Sequence, residues 1–229
     1  MNSYLTASEL AYIVNNSESR ILITSRAKLE VAREALKECP KVELCIVVDG
    51  RGESDRIIGL EEATRGLPKT PISDESIGTA MLYSSGTTGR PKGIVRPLQE
   101  QPPSQQMPLF DFLHKLWQYR EGMIYLSPAP LYHSAPQAAV NLTIRSGGTA
   151  IIMESFDPEH YLELVEKWGV THSQLVPTMF SRLLKLPEET RKRYDLSSLE
   201  IAIHAAAPCP AAVKDDMIKW WGPDRKSVV

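Results

Sequence analysis

A layered α/β fold with a largely parallel sheet is predicted by three observations. Helix-type and strand-type segments alternate along the chain with short turns between them, the order that builds parallel sheets flanked by helices. The strand-type runs, such as Ile21-Leu22-Ile23 and Leu44-Cys45-Ile46-Val47-Val48, are continuously apolar, as in buried strands. With 229 residues, 42% hydrophobic and 24% charged, the chain has ordinary globular usage and enough length for a real core. Disordered and fibrous classes are excluded on that composition.

The elements follow in order. Thr6-Ala7-Ser8-Glu9 is a capping box, in which the Thr and Glu side chains each satisfy an orphan amide of a helix start. Leu10, Ile13, Val14 and Ser17 continue at helical spacing. Residues 20–24 read as a strand, 26–38 as a helix with Leu29, Ala32 and Leu36 on one face, and 42–48 as a strand ending in the Asp49-Gly50 turn. Residues 50–76 read as loop with a brief helix near 60–65, and 79–83 as a strand entering a glycine-rich loop at 84–93. Residues 97–108 hold four prolines and four glutamines without apolar periodicity, an exposed connection. The rhythm then resumes. Helices are expected near 109–119, 135–145, 158–168, 178–186 and 211–221, and strands at 123–126, 149–153, 171–176 and 200–205. Asp157-Pro158 starts one helix and Gly169 ends it.

Charge and cysteine usage narrow the function. Lys and Arg number 26 against 28 Asp and Glu, net −2, so no global signal for nucleic acid or an anionic membrane exists. No run approaches the ~18 apolar residues of a membrane span, and the N-terminus lacks the basic and apolar regions of a secretory signal. Cys39, Cys45 and Cys209 form no CxxC pair, and the five histidines show no metal-ligand spacing. A cytoplasmic location, no metal site in the chain and no nucleic-acid partner are expected. No GxSxG supports a serine hydrolase.

The chemistry is carried by Tyr83-Ser84-Ser85-Gly86-Thr87-Thr88-Gly89-Arg90-Pro91-Lys92-Gly93. Its glycines allow tight turns and close backbone approach. Its four Ser and Thr hydroxyls, its amides and the charges of Arg90 and Lys92 are the ingredients of a polyphosphate cradle. Neither the Walker A pattern nor GxGxxG fits it. The string resembles the phosphate-binding signature of the adenylate-forming (AMP-binding) superfamily: acyl- and aryl-CoA synthetases, peptide-synthetase adenylation domains and beetle luciferases. Asn2–Thr24, Pro130-Leu131-Tyr132-His133-Ser134 and Ala205-Ala206-Ala207-Pro208 resemble further family segments in the same order. Residues 125–133 and Arg96-Pro97-Leu98 look most like fatty-acyl-CoA synthetases.

The resemblance implies part of the large N-terminal domain of an enzyme that activates a carboxylic acid with ATP as acyl-adenylate and passes the acyl group to coenzyme A. ATP, Mg2+ and coenzyme A are the implied cofactor and co-substrates. Ser84, Ser85, Gly86, Thr87, Thr88, Gly89 and Lys92 would bind the ATP phosphates. His133, Ala206, Ala207 and Pro208 would border the acyl and adenylate pocket. An aryl-CoA ligase or a peptide-synthetase domain is the alternative within this chemistry, and a non-catalytic nucleotide-binding module is the alternative outside it. The family's magnesium-holding Glu, ribose-binding Asp and catalytic Lys have no match in the chain. Residues 1–223 are therefore expected to be an incomplete large domain, inactive on its own. Residues 224–229, which back-translate to a common sequencing adapter, are expected to be a non-native tail.

Overall fold

The computed structural model describes residues 1–84, 90–105, 108–204 and 207–222. The tail expected at 224–229 lies outside them. The chain divides into two compact units, Met1–Gln105 and Gln106–Val229.

In the first unit, helix α1 (Ala7–Asn16) begins at the predicted capping box, with both halves formed: the Thr6 side chain accepts from the Glu9 amide, and the Glu9 carboxylate accepts from the Thr6 amide. Strand β1 (Ile21–Thr24) follows, then a short 3-10 turn, helix α2 (Leu29–Leu36), β2 (Leu44–Val47), β3 (Ile57–Gly59) and helix α3 (Leu60–Thr64). The three strands form a parallel sheet in the order β1-β2-β3. Leu22, Cys45, Val47 and Ile57 pack against Leu10, Ala11 and Val14 of α1 and Leu29, Ala32, Ala35 and Leu36 of α2. Burial raises the thiol pKa of Cys39 and of Cys45, which are core residues.

Strand β3 corrects the loop expected over 50–76. Three residues carry too little pattern to register as a strand, and non-local contacts hold them. Ile57 and Ile58 pair with Cys45 and Ile46, while the Arg56 guanidinium donates to the carbonyls of Leu36, Cys39 and Val42 beyond the end of α2. The unit ends in an antiparallel hairpin of β4 (Leu82–Ser84) and β5 (Lys92–Ile94). β5 lies partly inside the segment expected to be loop, because its apolar content is a single residue and only pairing with β4 makes it a strand.

The second unit holds α4 (Pro108–Leu116), β6 (Ile124–Ser127), α5 (Ser134–Arg145), β7 (Thr149–Ile152), α6 (Pro158–Trp168), β8 (His172–Leu175), α7 (Pro177–Leu184), α8 (Glu188–Arg193), β9 (Ile201–His204) and α9 (Ala211–Trp221). Its sheet is fully parallel in the order β7-β6-β8-β9. Side chains alternate across it. Leu126, Leu175 and Ala202 face α6, α7 and α9, whereas Tyr125 faces Tyr119, Met123 and Ala139, Val140 and Leu142 of α5. Asp157 caps α6 through the His160 amide, Pro158 opens it, and Gly169 ends it in the left-handed region at φ 61°, as expected from the sequence.

Strand β8, His-Ser-Gln-Leu, is buried along its whole length despite its polarity. Hydrogen bonds account for its first two residues, whereas the buried Gln174 Oε1 has no partner among the described residues. Ser173 Oγ donates to the Leu126 carbonyl, His172 Nε2 donates to the Trp117 carbonyl, and His172 Nδ1 lies 2.8 Å from Thr171 Oγ1. His172 is thus a satisfied core histidine. Helix α8, Glu-Glu-Thr-Arg-Lys-Arg, was absent from the sequence expectation because it has no apolar periodicity.

Candidate functional site

In the first unit, the hairpin places Leu82 opposite Ile94, Tyr83 opposite Gly93 and Ser84 opposite Lys92. Two of the sequence-predicted phosphate residues, Ser84 and Lys92, are therefore direct cross-strand partners, both exposed. The other five, Ser85, Gly86, Thr87, Thr88 and Gly89, lie outside the described residues. A two-stranded ribbon is marginal on its own. Helix α1 supplies its anchorage. Tyr12 donates a hydrogen bond from its phenol to the Pro91 carbonyl at 2.9 Å, and the Arg90 guanidinium lies over the Tyr12 ring at 5.1 Å. Tyr83 donates to Asn16 Oδ1 at 2.7 Å. Tyr12 and Asn16 were not among the residues singled out in the sequence. Their only signal there is i, i+4 spacing on the polar side of a capped helix.

In the second unit, strand order decides the geometry. From β6 the chain crosses through α5 to β7 on one side, then through α6 to β8 on the other side of β6, and on to β9. The winding reverses between β6 and β8, and in open parallel sheets ligands bind outside the carboxyl ends of the strands at such a reversal. The loop that leaves β6, Pro128–His133, starts at that point. His133 is the residue before α5, extended at φ −82° and ψ 147°, with no side-chain capping bond. Its amide donates to the Pro130 carbonyl, its ring lies 4.5 Å from that of Tyr132, and its side chain is exposed. Ala207 and Pro208 follow the carboxyl end of β9 at the same end of this sheet, also exposed. Ala206 lies outside the described residues. The structure thus brings His133 and Ala207-Pro208 to one end of one sheet.

His204 closes β9. It is buried, its Nε2 has no hydrogen-bond partner among the described residues, and its ring meets the edge of Phe180 at 6.0 Å. Burial, with the Lys214 charge in support, lowers its pKa and keeps the imidazole neutral. No cluster of three or more His, Cys, Asp and Glu side chains is placed to hold a metal among the described residues. No described helix is long and apolar enough to cross a membrane.

The family model described as "AMP-binding enzyme" matches residues 1–229. The chain belongs to the AMP-binding enzyme family. Among curated proteins, this AMP-binding chain is 26% identical over 216 residues to 4-coumarate–CoA ligase 1 of Petroselinum crispum, covering 93% of this chain and 39% of the relative. It is 30% identical over 217 residues to acyl-CoA synthetase 7 of Caenorhabditis elegans, covering 91% and 40%. The chain thus spans about two fifths of the length of these relatives. Among solved structures, a putative long-chain-fatty-acid CoA ligase from Rhodopseudomonas palustris aligns with a TM-score of 0.76 at 18% identity, over 99% of this chain and 54% of that one. That likeness shows the fold: the layered α/β architecture expected from the sequence, shared with the N-terminal domains of adenylate-forming enzymes.

Proposed function

We propose that the chain is part of an ATP-dependent acid–CoA ligase and carries its phosphate-binding loop and one wall of its acid pocket. The observation that carries this reading is the hydroxyl- and glycine-rich string between β4 and β5, with Ser84 held opposite Lys92, in a chain matched from end to end by the AMP-binding family.

The reaction has two displacements. A carboxylate oxygen of the acid attacks the α-phosphorus of ATP, and pyrophosphate leaves. The thiolate of coenzyme A then attacks the acyl carbon of the adenylate, and AMP leaves. The first step needs its reactants held in line and the charge on the departing pyrophosphate stabilised. The hydroxyls of Ser84, Ser85, Thr87 and Thr88 and the amides of Gly86 and Gly89 donate to the β- and γ-phosphate oxygens, and Lys92 offsets their charge. His133 is assigned to contact the acid, and the small side chains of Ala206 and Ala207 and the ring of Pro208 to leave room for acyl group and adenine. No cluster among the described residues is placed to hold a metal, so Mg2+ would come with the nucleotide and would supply charge neutralisation to its phosphates.

The acid is proposed to be a fatty acid, on the likeness of residues 125–133 and 96–98 to fatty-acyl-CoA synthetases. An aryl acid is the second reading, favoured by the 4-coumarate–CoA ligase relatives. Pyrophosphate release by the parent enzyme across a panel of alkyl and aryl acids separates the two. Binding of ATP by the 229-residue chain tests the loop assignment. Lys92→Ala is expected to weaken it tenfold or more, roughly the loss of one charge-assisted hydrogen bond. Unchanged affinity in that variant would remove Lys92 from the site.

A further inference from the structure

We infer that Tyr12 and Asn16 of α1 are positioning residues that brace the two stems of the phosphate loop, setting the separation of Ser84 and Lys92. This rests on the reading of those two residues as phosphate-binding.

Each stem is held by its own bond. On the β5 side the Tyr12 phenol donates to the Pro91 carbonyl, and the Arg90 guanidinium stacks over the same ring. On the β4 side the Tyr83 phenol donates to Asn16 Oδ1, with the Ile13 carbonyl 3.4 Å away. These bonds join residues 67 to 79 positions apart in sequence, so they are tertiary choices and not local turns. The spacing suits the task. Residues four apart lie on one helix face, about 6 Å along its axis, and paired strands run about 4.8 Å apart. One turn of α1 therefore reaches both stems at once.

The brace has a firm base. The opposite side of α1, Leu10, Ala11 and Val14, is buried against α2 and the parallel sheet, and the capping box fixes the first turn of the helix. The hairpin has no comparable support, since its sheet consists of two strands of three residues. Without α1, the stems are free to twist and the cross-strand distance between Ser84 and Lys92 varies. A phosphate bound by both then costs additional ordering of the hairpin.

The test uses the 229-residue chain with inorganic pyrophosphate as probe, titrated by NMR at the Gly93 amide. Hydrogen exchange is read in parallel over α1 and over Leu82–Ser84 and Lys92–Ile94. Tyr12→Phe and Asn16→Ala are each expected to weaken binding about fivefold, the worth of one neutral hydrogen bond. They should speed exchange in the hairpin and leave α1 protected. Tyr4→Phe, an aromatic change remote from the stems, is the control and should bind as the parent chain does. Parent-like affinity in both Tyr12→Phe and Asn16→Ala overturns the brace and leaves the phosphate reading standing. Loss of protection throughout α1 also overturns it, since the two side chains would then merely hold the helix. Absence of pyrophosphate binding by the unsubstituted chain overturns the phosphate reading and the brace with it.

Discussion

Tyr83 lies across Gly93 on the neighbouring strand, so closely that a Cβ built at residue 93 would sit 3.0 Å from the phenol Cζ and 3.1 Å from its oxygen. The glycine is required by the ring, and the ring is held by Asn16. A methyl group at 93 also meets Met81 Cε, a flexible chain end that can move, whereas Tyr83 cannot yield without breaking its hydrogen bond. Gly93→Ala is therefore expected to destabilise the first unit by about 1–3 kcal/mol, the usual range for overpacking. Gly78→Ala, where the added methyl meets nothing within 4 Å, is the neutral control. Denaturant unfolding of the two variants, followed by hydrogen exchange in the hairpin, makes the comparison.

Gly169 offers a test of backbone strain alone. Its φ of 61° is left-handed, and nothing lies within 4 Å of an added Cβ. Gly169→Ala should cost about 1 kcal/mol, and Gly169→Asn less, because Asn tolerates that conformation better. Equal stability of all three proteins would show that the end of α6 relaxes.

The adjacent tryptophans of α9 should behave differently. Trp221 is buried, its ring parallel to that of Tyr161 at 6.4 Å and edge-on to Phe180 at 5.7 Å. Trp220 is half-buried under the Arg191 guanidinium. Trp221→Ala is expected to lose about 3–5 kcal/mol, and Trp220→Ala clearly less. The reverse order in thermal or urea unfolding would contradict this packing.

The pH dependence of the second unit should report on His172. Burial first, and then the Arg120 charge, depress its pKa below the ordinary 6.5. The fold therefore resists protonating a ring that the unfolded chain protonates readily. Stability is undiminished above pH 6.5 and declines as the pH is lowered from there towards the depressed value, because in that window the unfolded state binds more protons. His204, depressed in the same direction, adds to the slope. His172→Gln, which keeps a donor for the Trp117 carbonyl, should flatten the decline between pH 7.5 and 5 even if it lowers the plateau. An unchanged slope would exclude His172 as its source.

Features that depend on neighbouring residues were legible in the sequence. The box at Thr6 and Glu9, the Asp157-Pro158 start and the Gly169 stop each involve contacts within one helical turn, and each formed as read. β3 and β5 were not legible, since three residues each acquire strand geometry only from cross-strand partners such as Cys45 and Ser84. α8 escaped because an all-polar helix has no period to detect. At the candidate site, Ser84, Lys92, His133, Ala207 and Pro208 were named from residue order, but Tyr12 and Asn16 were not, because hydrogen bonds across 79 and 67 positions leave no local trace.

The amino-acid sequence by itself determined the alternation of helix and strand, the caps and the hydroxyl and glycine content of the loop, since each depends on side-chain type and short spacing. Only the tertiary structure decided that β8 lies between β6 and β9, that the winding reverses where the His133 loop begins, and that one turn of α1 grips both loop stems. Strand order and helix seating depend on which apolar faces bury one another, and that is settled when the whole chain packs.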